Sequence, residues 1–259
     1  MNLYEAIYQR RSVRSYNMEP LEEKTLAHIE NFMKSLRAYR DNIEYELKIV
    51  DNLKEDGGLG GAFQVKAPYY LILTSEFKQD YLINAGFIMQ QMVLYLTAMN
   101  IGTCYQGAIK PKSKLKSKLK YDFVIAIAFG KSPKDIYRVP EKASRLSEER
   151  LTVYKEEVDD LMKTLISAGI YSPSAFNSQP WRFVVYKNRI HVFCKKARIF
   201  SAVLNDIKLL DIGVMLANVS QAAEELWLSD SFILVDSFKE KNFRNNEYIT
   251  TVVLKEKIF

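Results

Sequence analysis

Two short stretches hold residue types suited to chemistry. In RRSVRSY, residues 10 to 16, Arg10, Arg11 and Arg14 stand within five positions, with Ser12 between them. Guanidinium forks carry paired N–H donors that match phosphate oxygens, so the segment has the make-up of a phosphate clamp. Alone, it reads more readily as a solvated basic N-terminus. In SPSAFNSQPWRFVV, residues 172 to 185, six small or polar residues and two prolines run straight into a Trp-led apolar strand. A polar loop set against a core strand, in mid-chain, calls for a reason.

Other chemistries lack their residues. His28 and His191 are the only histidines and lie on separate elements, where a lone His is usually a surface or a satisfied core residue. No Asp/Glu/His/Cys grouping has metal-ligand spacing. There is no GxSxG, no P-loop and no GxGxxG between a strand and a helix. The nearest approach, DGGLGGAF at 56 to 63, is followed by a strand and reads as a loop. Cys104 and Cys194 form no CxxC, which excludes a zinc ribbon and a thioredoxin-type centre and fits a reducing cytoplasm. Hydrolytic and metal chemistry thus have no support, and a borrowed cofactor is the better candidate.

The elements that position these stretches follow from periodicity. Of the 259 residues 48% are hydrophobic, enough for a substantial core. The net charge of +6 fits an anionic partner without implying nucleic acid or a membrane surface. The N-terminus lacks the apolar run of a signal peptide, and AGFIMQQMVLYLTAM, with Gln90, Gln91 and Thr97, falls short of the ~20 residues of a membrane span. It reads as a buried helix over about 84 to 100.

Before it come a short helix at Leu3 to Gln9, an amphipathic helix over 21 to 36, and strands at IEYELKIV and APYYLILT. After it come a turn at IGTCYQGAI, a lysine-rich short helix, a strand at DFVIAIAFG and an extended polar arm over 131 to 155. In the lysine-rich run, KPKSKLKSKLK, Leu115 and Leu119 share one face, and the run reads as a solvated surface helix.

The order then begins again. An amphipathic helix at 155 to 169 precedes strands WRFVVYK and RIHVFCKK, joined by a tight turn at Asn188. A second apolar helix, DIGVMLANVSQAAEELWL, follows at 211 to 228, with Gly213 standing where Gly86 stands in the first. Strands SFILVDSF and YITTVVLKE close the series. Helix, two strands, buried helix and strand recur about 125 to 135 residues apart, too far for a solenoid and consistent with two packed α+β halves, 1–150 and 151–259.

These stretches together resemble the nitroreductase family, the FMN-dependent NAD(P)H oxidoreductases. RRSVRSY is similar to its N-terminal RxS segment and AGIYSPSAFNSQPWRFVV to its APSxxNxQPW segment. NAGFIMQQMVLYLTAMNIGTCYQGA is similar to its central helix and the turn after it, and FGKSPKDIYRVPEKASRLSEE to its last strand and basic arm. In the family both motifs flank one N-terminal helix. Here the loop after the first helix reads RAYRDN, and the segment before the second half's helix reads SRLSEERLTVY, so each half keeps what the other lacks.

The resemblance implies a fused version of the family homodimer, in which each FMN takes its clamp from one subunit and its loop from the other. One flavin site per chain between the halves is then expected, in a monomer acting as a pseudo-dimer in the cytoplasm. By resemblance Arg10 and Ser12 hold the FMN phosphate and ribityl chain, with Arg11 a backbone or phosphate contact, and Arg14 reaches the pyrimidine edge near flavin N1 and O2. Gln106 and Gly107 supply backbone N–H groups near flavin N5 and O4. Arg145 serves as the arm's phosphate contact, with Lys142 a looser candidate. Ser172, Pro173, Ser174 and Asn177 line the ring and ribityl chain. The implied activity is hydride transfer from NAD(P)H through FMN to a small acceptor such as a nitroaromatic or quinone. A non-catalytic flavin-binding or redox-sensing protein, or another reaction on the same scaffold, is the alternative.

Overall fold

The computed structural model describes residues 1–54, 58–196, 202–239, 241, 243 and 245–256. Asp56 and Gly57 of the glycine-rich stretch lie outside these. The chain divides into two compact units, Met1–Lys142 and Ala143–Phe259. The division falls earlier than the boundary at 150 read from sequence. Residues 152–154 pair with the second unit's sheet, and Arg145 and Leu146 hydrogen-bond to its residues, so the end of the arm belongs there.

In the first unit α1 (Leu3–Gln9) opens with a capping box, in which Asn2 accepts from the Glu5 N–H at 2.8 Å and Glu5 accepts in return from the Asn2 N–H at 2.9 Å. α2 (Glu23–Met33) ends a turn before the expected Leu36. β1 (Tyr45–Asp51), β2 (Leu59–Gly61) and β3 (Tyr69–Ser75) lead to α3 (Tyr81–Ala98), which is buried along most of its length, as its apolar sequence predicts. β4 (Gly102–Gln106), β5 (Ile109–Pro111), α4 (Ser113–Lys116) and β6 (Asp122–Gly130) complete the unit.

The main sheet is antiparallel in the order β1-β3-β6-β4, and β2 and β5 pair separately. Side chains alternate across it, so Tyr70, Ile72, Ala126 and Ala128 meet a cluster holding Val13, Tyr16, Leu59 and Ile109. The intervening residues Leu71, Leu73 and Ile127 are fully buried toward the opposite side. Leu115 and Leu119 pack on the first cluster, while Lys110, Lys112, Lys114, Lys116, Lys118 and Lys120 are exposed. IGTCYQGAI, expected as a turn, is mostly strand β4. Gly102 is needed there for close packing rather than for turning, since a Cβ would lie 2.9 Å from both Val13 methyls.

In the second unit the arm forms α5 (Glu148–Leu151) and β7 (Thr152–Tyr154), so it is not extended throughout. α6 (Asp160–Ile170) is capped by Asp159, whose carboxylate accepts from the Met162 N–H at 2.8 Å. β8 (Trp181–Tyr186) and β9 (Arg189–Lys195) form the expected hairpin, and α7 (Ala202–Glu225) starts earlier than the sequence reading placed it. β10 (Leu228–Ile233) stops short of the expected Phe238, which lies in α8 (Asp236–Lys239), and β11 (Asn246–Glu256) follows.

The sheet order is β10-β11-β9-β8-β7, with only β7 parallel to its neighbour. Without β7 it reads β8-β9-β11-β10, the connectivity of β1-β3-β6-β4 in the first unit, with α7 inserted where α3 is. His191 is buried, 2.7 Å from the Thr251 hydroxyl, and His28 is exposed.

Candidate functional site

Arg10 ends α1. Its backbone N–H bonds the Ala6 carbonyl at 3.0 Å, and it leaves the helix in extended conformation. Its side chain turns inward and is only 4% exposed. Nη2 donates to Ser12 Oγ at 3.2 Å, and buried Nε has no hydrogen-bond partner among the described residues. The charges acting on it are Arg138 and Arg14, which are alike in sign, with Tyr105 and Cys104 pulling the other way. Burial first and Arg138 second lower its pKa to about 10. A buried cation without an anion costs several kcal/mol. The fit to a phosphate is direct, because the orphaned Nε and the Ser12 hydroxyl are the groups such an anion uses.

The rest of the first motif is laid along the free edge of β4. Ser12 bridges Thr103 in parallel fashion, and the Val13 N–H donates to the Thr103 carbonyl at 2.8 Å. Arg11 and Arg14 are exposed beside it. The same strand ends at Gln106, so the two first-half motifs meet. The Gln106 side chain is committed internally: Oε1 accepts from the Val65 N–H at 2.9 Å, and Nε2 donates to the carbonyls of Cys104 and Tyr105. Gly107 is exposed, and a Cβ there would meet nothing within 4 Å. The Val65 contact ties Gln106 to the loop bearing Phe63, which is 95% exposed at φ +59°.

Arg138 was not among the expected residues. Its N–H donates to the Gln9 carbonyl at 2.8 Å and its Nε to the Tyr8 carbonyl at 3.2 Å, which places a cation at the C-terminus of α1 beside Arg10. Tyr137 bridges Arg10 in antiparallel fashion. In sequence Arg138 is one cation among several in KSPKDIYRVPEK, and only the fold singles it out. Lys142 ends the 3-10 turn Pro140–Lys142 and is exposed.

The second motif belongs to the second unit. Phe176, Asn177 and Gln179 all have left-handed backbone, φ +54°, +53° and +48°. Such positions cost of order 1–3 kcal/mol each for residues other than glycine, and they persist where the surroundings over-determine them. Here Ser174 Oγ accepts from the Gln179 N–H at 3.0 Å and the Ser174 carbonyl from the Asn177 N–H at 3.0 Å. Gln179 Oε1 accepts from the Leu146 N–H at 2.8 Å. Arg145 donates to Asn177 Oδ1 at 3.1 Å and to the Tyr171 carbonyl at 3.0 Å.

Two of the expected residues, Arg145 and Asn177, therefore touch. Ser172 is fully buried, and its hydroxyl accepts from Asn218 Nδ2 at 2.9 Å. It supports the loop from within, which leaves Pro173, Ser174 and Asn177 as the accessible expected residues. Phe176 is 90% exposed at the tip.

No group of three or more potential metal ligands occurs among the described residues. No helix among them is long and apolar enough to cross a membrane.

Comparison with known proteins bears on the whole arrangement. A “putative nitroreductase” of Thermotoga maritima MSB8 superposes with a TM-score of 0.66 at 20% identity, over 98% of this chain and 94% of that one. A nitroreductase family protein of Clostridium difficile 630 gives a TM-score of 0.50 at 17% identity, over 61% of this chain and 100% of its own. At these identities the likeness is one of fold. No curated protein matches. The family model described as “Putative TM nitroreductase” matches residues 2–223, from ahead of the arginine motif to near the end of α7. With that span matched, the chain belongs to the nitroreductase family, a family of oxidoreductases.

Proposed function

We propose that the protein is an FMN-dependent oxidoreductase using NAD(P)H, with a small nitroaromatic or quinone as acceptor. The observation that carries this reading is the buried Arg10 guanidinium, which has an orphaned Nε, a hydroxyl beside it and, among the described residues, no carboxylate acting on it. FMN, when bound, supplies hydride acceptance and donation at flavin N5. The chain binds and orients: Arg10, Ser12 and, next to them, Arg138 hold the phosphate. Exposed Arg14 places positive charge at the pyrimidine edge, where it favours electron-rich flavin. Gly107, open to solvent, leaves room for the ring beside the end of β4.

One FMN per chain draws its clamp from RRSVR and its loop from SPSAFN, with Arg145 and Asn177 acting together in the loop. Support for an internal duplication is the shared strand order of the two sheets and the division of the motifs between them. A duplicated chain already contains both contributions, so a monomer is expected.

The test is the flavin content of purified protein, taken with its mass in solution and its steady NADH or NADPH oxidation with a nitro or quinone acceptor. One FMN per monomer with turnover supports the reading. Two per chain would overturn the single-site account. No flavin after incubation with FMN would end the enzyme reading, and flavin without turnover would leave a binding protein.

A further inference from the structure

We propose that Asp211 is the positioning residue of the SPSAFN loop, its carboxyl fixing the Ala175 backbone and so the pose in which residues 173–177 meet FMN. The proposal rests on the reading of that loop given above. Asp211 lies on α7 and is 4% exposed. Both carboxyl oxygens stand 3.1 Å from the Ala175 backbone nitrogen, and the Ser178 hydroxyl bonds the same group. The anchored residue immediately precedes the left-handed pair Phe176 and Asn177. A loop in that conformation has to be held from behind, and Asp211 is what stands behind it.

The first unit supplies an internal control. Asn84 on α3 precedes Gly86 by two residues, as Asp211 precedes Gly213 on α7. Asn84 Oδ1 accepts from the Tyr39 N–H at 2.8 Å and the Arg40 N–H at 3.0 Å, which are backbone groups of the loop after α2. Seven residues further on, Gln91 bonds the Arg37 N–H and carbonyl at 3.1 and 2.9 Å. Asn218, seven after Asp211, bonds Ser172 Oγ. Each helix thus carries two polar anchors, seven residues apart, for the end of the preceding helix and its loop. A neutral amide is sufficient for an ordinary loop in the first unit. In the second, where the loop bears the family signature, the anchor is an acid.

Cys194 of β9 feels Asp211, together with Lys208 of α7, Arg182 of β8 and Glu247 of β11. Among the described residues the loop presents the Ala175 N–H and the Ser178 hydroxyl to it. Burial raises the Asp211 carboxyl from 3.8 to about 7, against the downward pull of those two hydrogen bonds. Because the folded value is the higher one, its stability contribution is fully present below about pH 3.8 and is lost as pH rises through about 7. Ionisation meanwhile strengthens its bond to the Ala175 N–H. The loop is therefore held most firmly at the pH where the fold carries the greater burden of a buried charge.

The test uses the full chain and the variants Asp211→Asn and Asp211→Ala, with two readouts. Hydrogen exchange at Ala175, which needs no flavin, is expected to quicken roughly tenfold in the Ala variant, the scale of one lost charge-assisted hydrogen bond, and to stay near wild type in the Asn variant. FMN affinity of the wild type is expected to rise between about pH 6 and 8, and that rise to shrink in the Asn variant while binding persists. Unchanged exchange in Asp211→Ala, or an Asn variant with the wild-type pH profile, would overturn the proposal. If the wild type binds no FMN, the functional reading fails, and exchange at Ala175 still decides whether Asp211 anchors the loop.

Discussion

Arg145 and Asn177 hold each other: the guanidinium donates to Asn177 Oδ1 at 3.1 Å, and Asn177 Nδ2 donates to the carbonyl of Ser144, beside Arg145, at 3.1 Å. The arm and the loop are thereby one piece. Arg145→Ala and Asn177→Ala are each expected to weaken FMN binding roughly tenfold, the scale of one hydrogen bond to a charged group. The double variant should lose little more than either single one, because both remove the same contact. Flavin titration by fluorescence quenching measures this, and additive losses would mean that the two residues act apart.

Arg10 makes a sharper case. On the proposed reading its buried charge is costly to the empty protein and useful to the loaded one. Arg10→Met should leave the melting temperature without ligand unchanged or higher, while abolishing the stabilisation by added FMN. Differential scanning fluorimetry with and without FMN separates the two effects. A variant that simply melts early, yet is still stabilised by FMN, would make Arg10 structural.

Gly102 tests the placement of the proposed clamp. A Cβ there would press on Val13. Gly102→Ala is expected to push residues 12–13 away from the β4 edge and to cost about 1–3 kcal/mol of stability as overpacking. Part of that should return in the double variant with Val13→Ala. Urea unfolding of the four proteins gives the cycle, and absence of any recovery would place the strain elsewhere.

Phe176 stands exposed in left-handed backbone. Phe176→Gly removes that strain, offset by the greater freedom of glycine in the unfolded chain, so stability should change by less than about 1 kcal/mol in either direction. Turnover with an aromatic acceptor should nevertheless fall, as a rise in KM. Unaltered kinetics would leave the exposed ring without a role in the reaction.

His191 supplies a pH effect of opposite sign to Asp211. Burial first and Arg189 second lower its pKa below the ordinary 6.5. Its contribution to stability is present above about 6.5 and lost as pH falls through the depressed folded value. His191→Gln should flatten the acid side of the melting profile below about pH 6.5. A profile identical to wild type would put the acid loss elsewhere.

The fold was legible in sequence where periodicity was strong. α1 was placed to the residue, the WRFVVYK–RIHVFCKK hairpin followed from its strand pattern and the turn at Asn188, and the burial of α3 from its apolar run. Misreadings fell where one signal serves two structures. Glycine in GTCYQG reads as a turn, yet Gly102 lies in a strand because Val13 needs the space. SFILVDSF holds an apolar run, 232–235, that suits a strand, yet the chain leaves the sheet after Ile233. At the site, the arginine and SPSAFN motifs were visible because their residue types are unusual. Arg138, Asn84 and Asp211 were not, since each is an ordinary residue whose partner is distant in the chain.

The strand orders also bear on how the protein is made. In each unit the last strand to be synthesised, β6 or β11, sits inside the sheet between two earlier strands. Neither sheet can close until that strand has left the ribosome. The first unit is then complete while the second has yet to emerge, and the nascent chain carries Arg10, Ser12 and Arg14 in their finished setting before the SPSAFN loop exists.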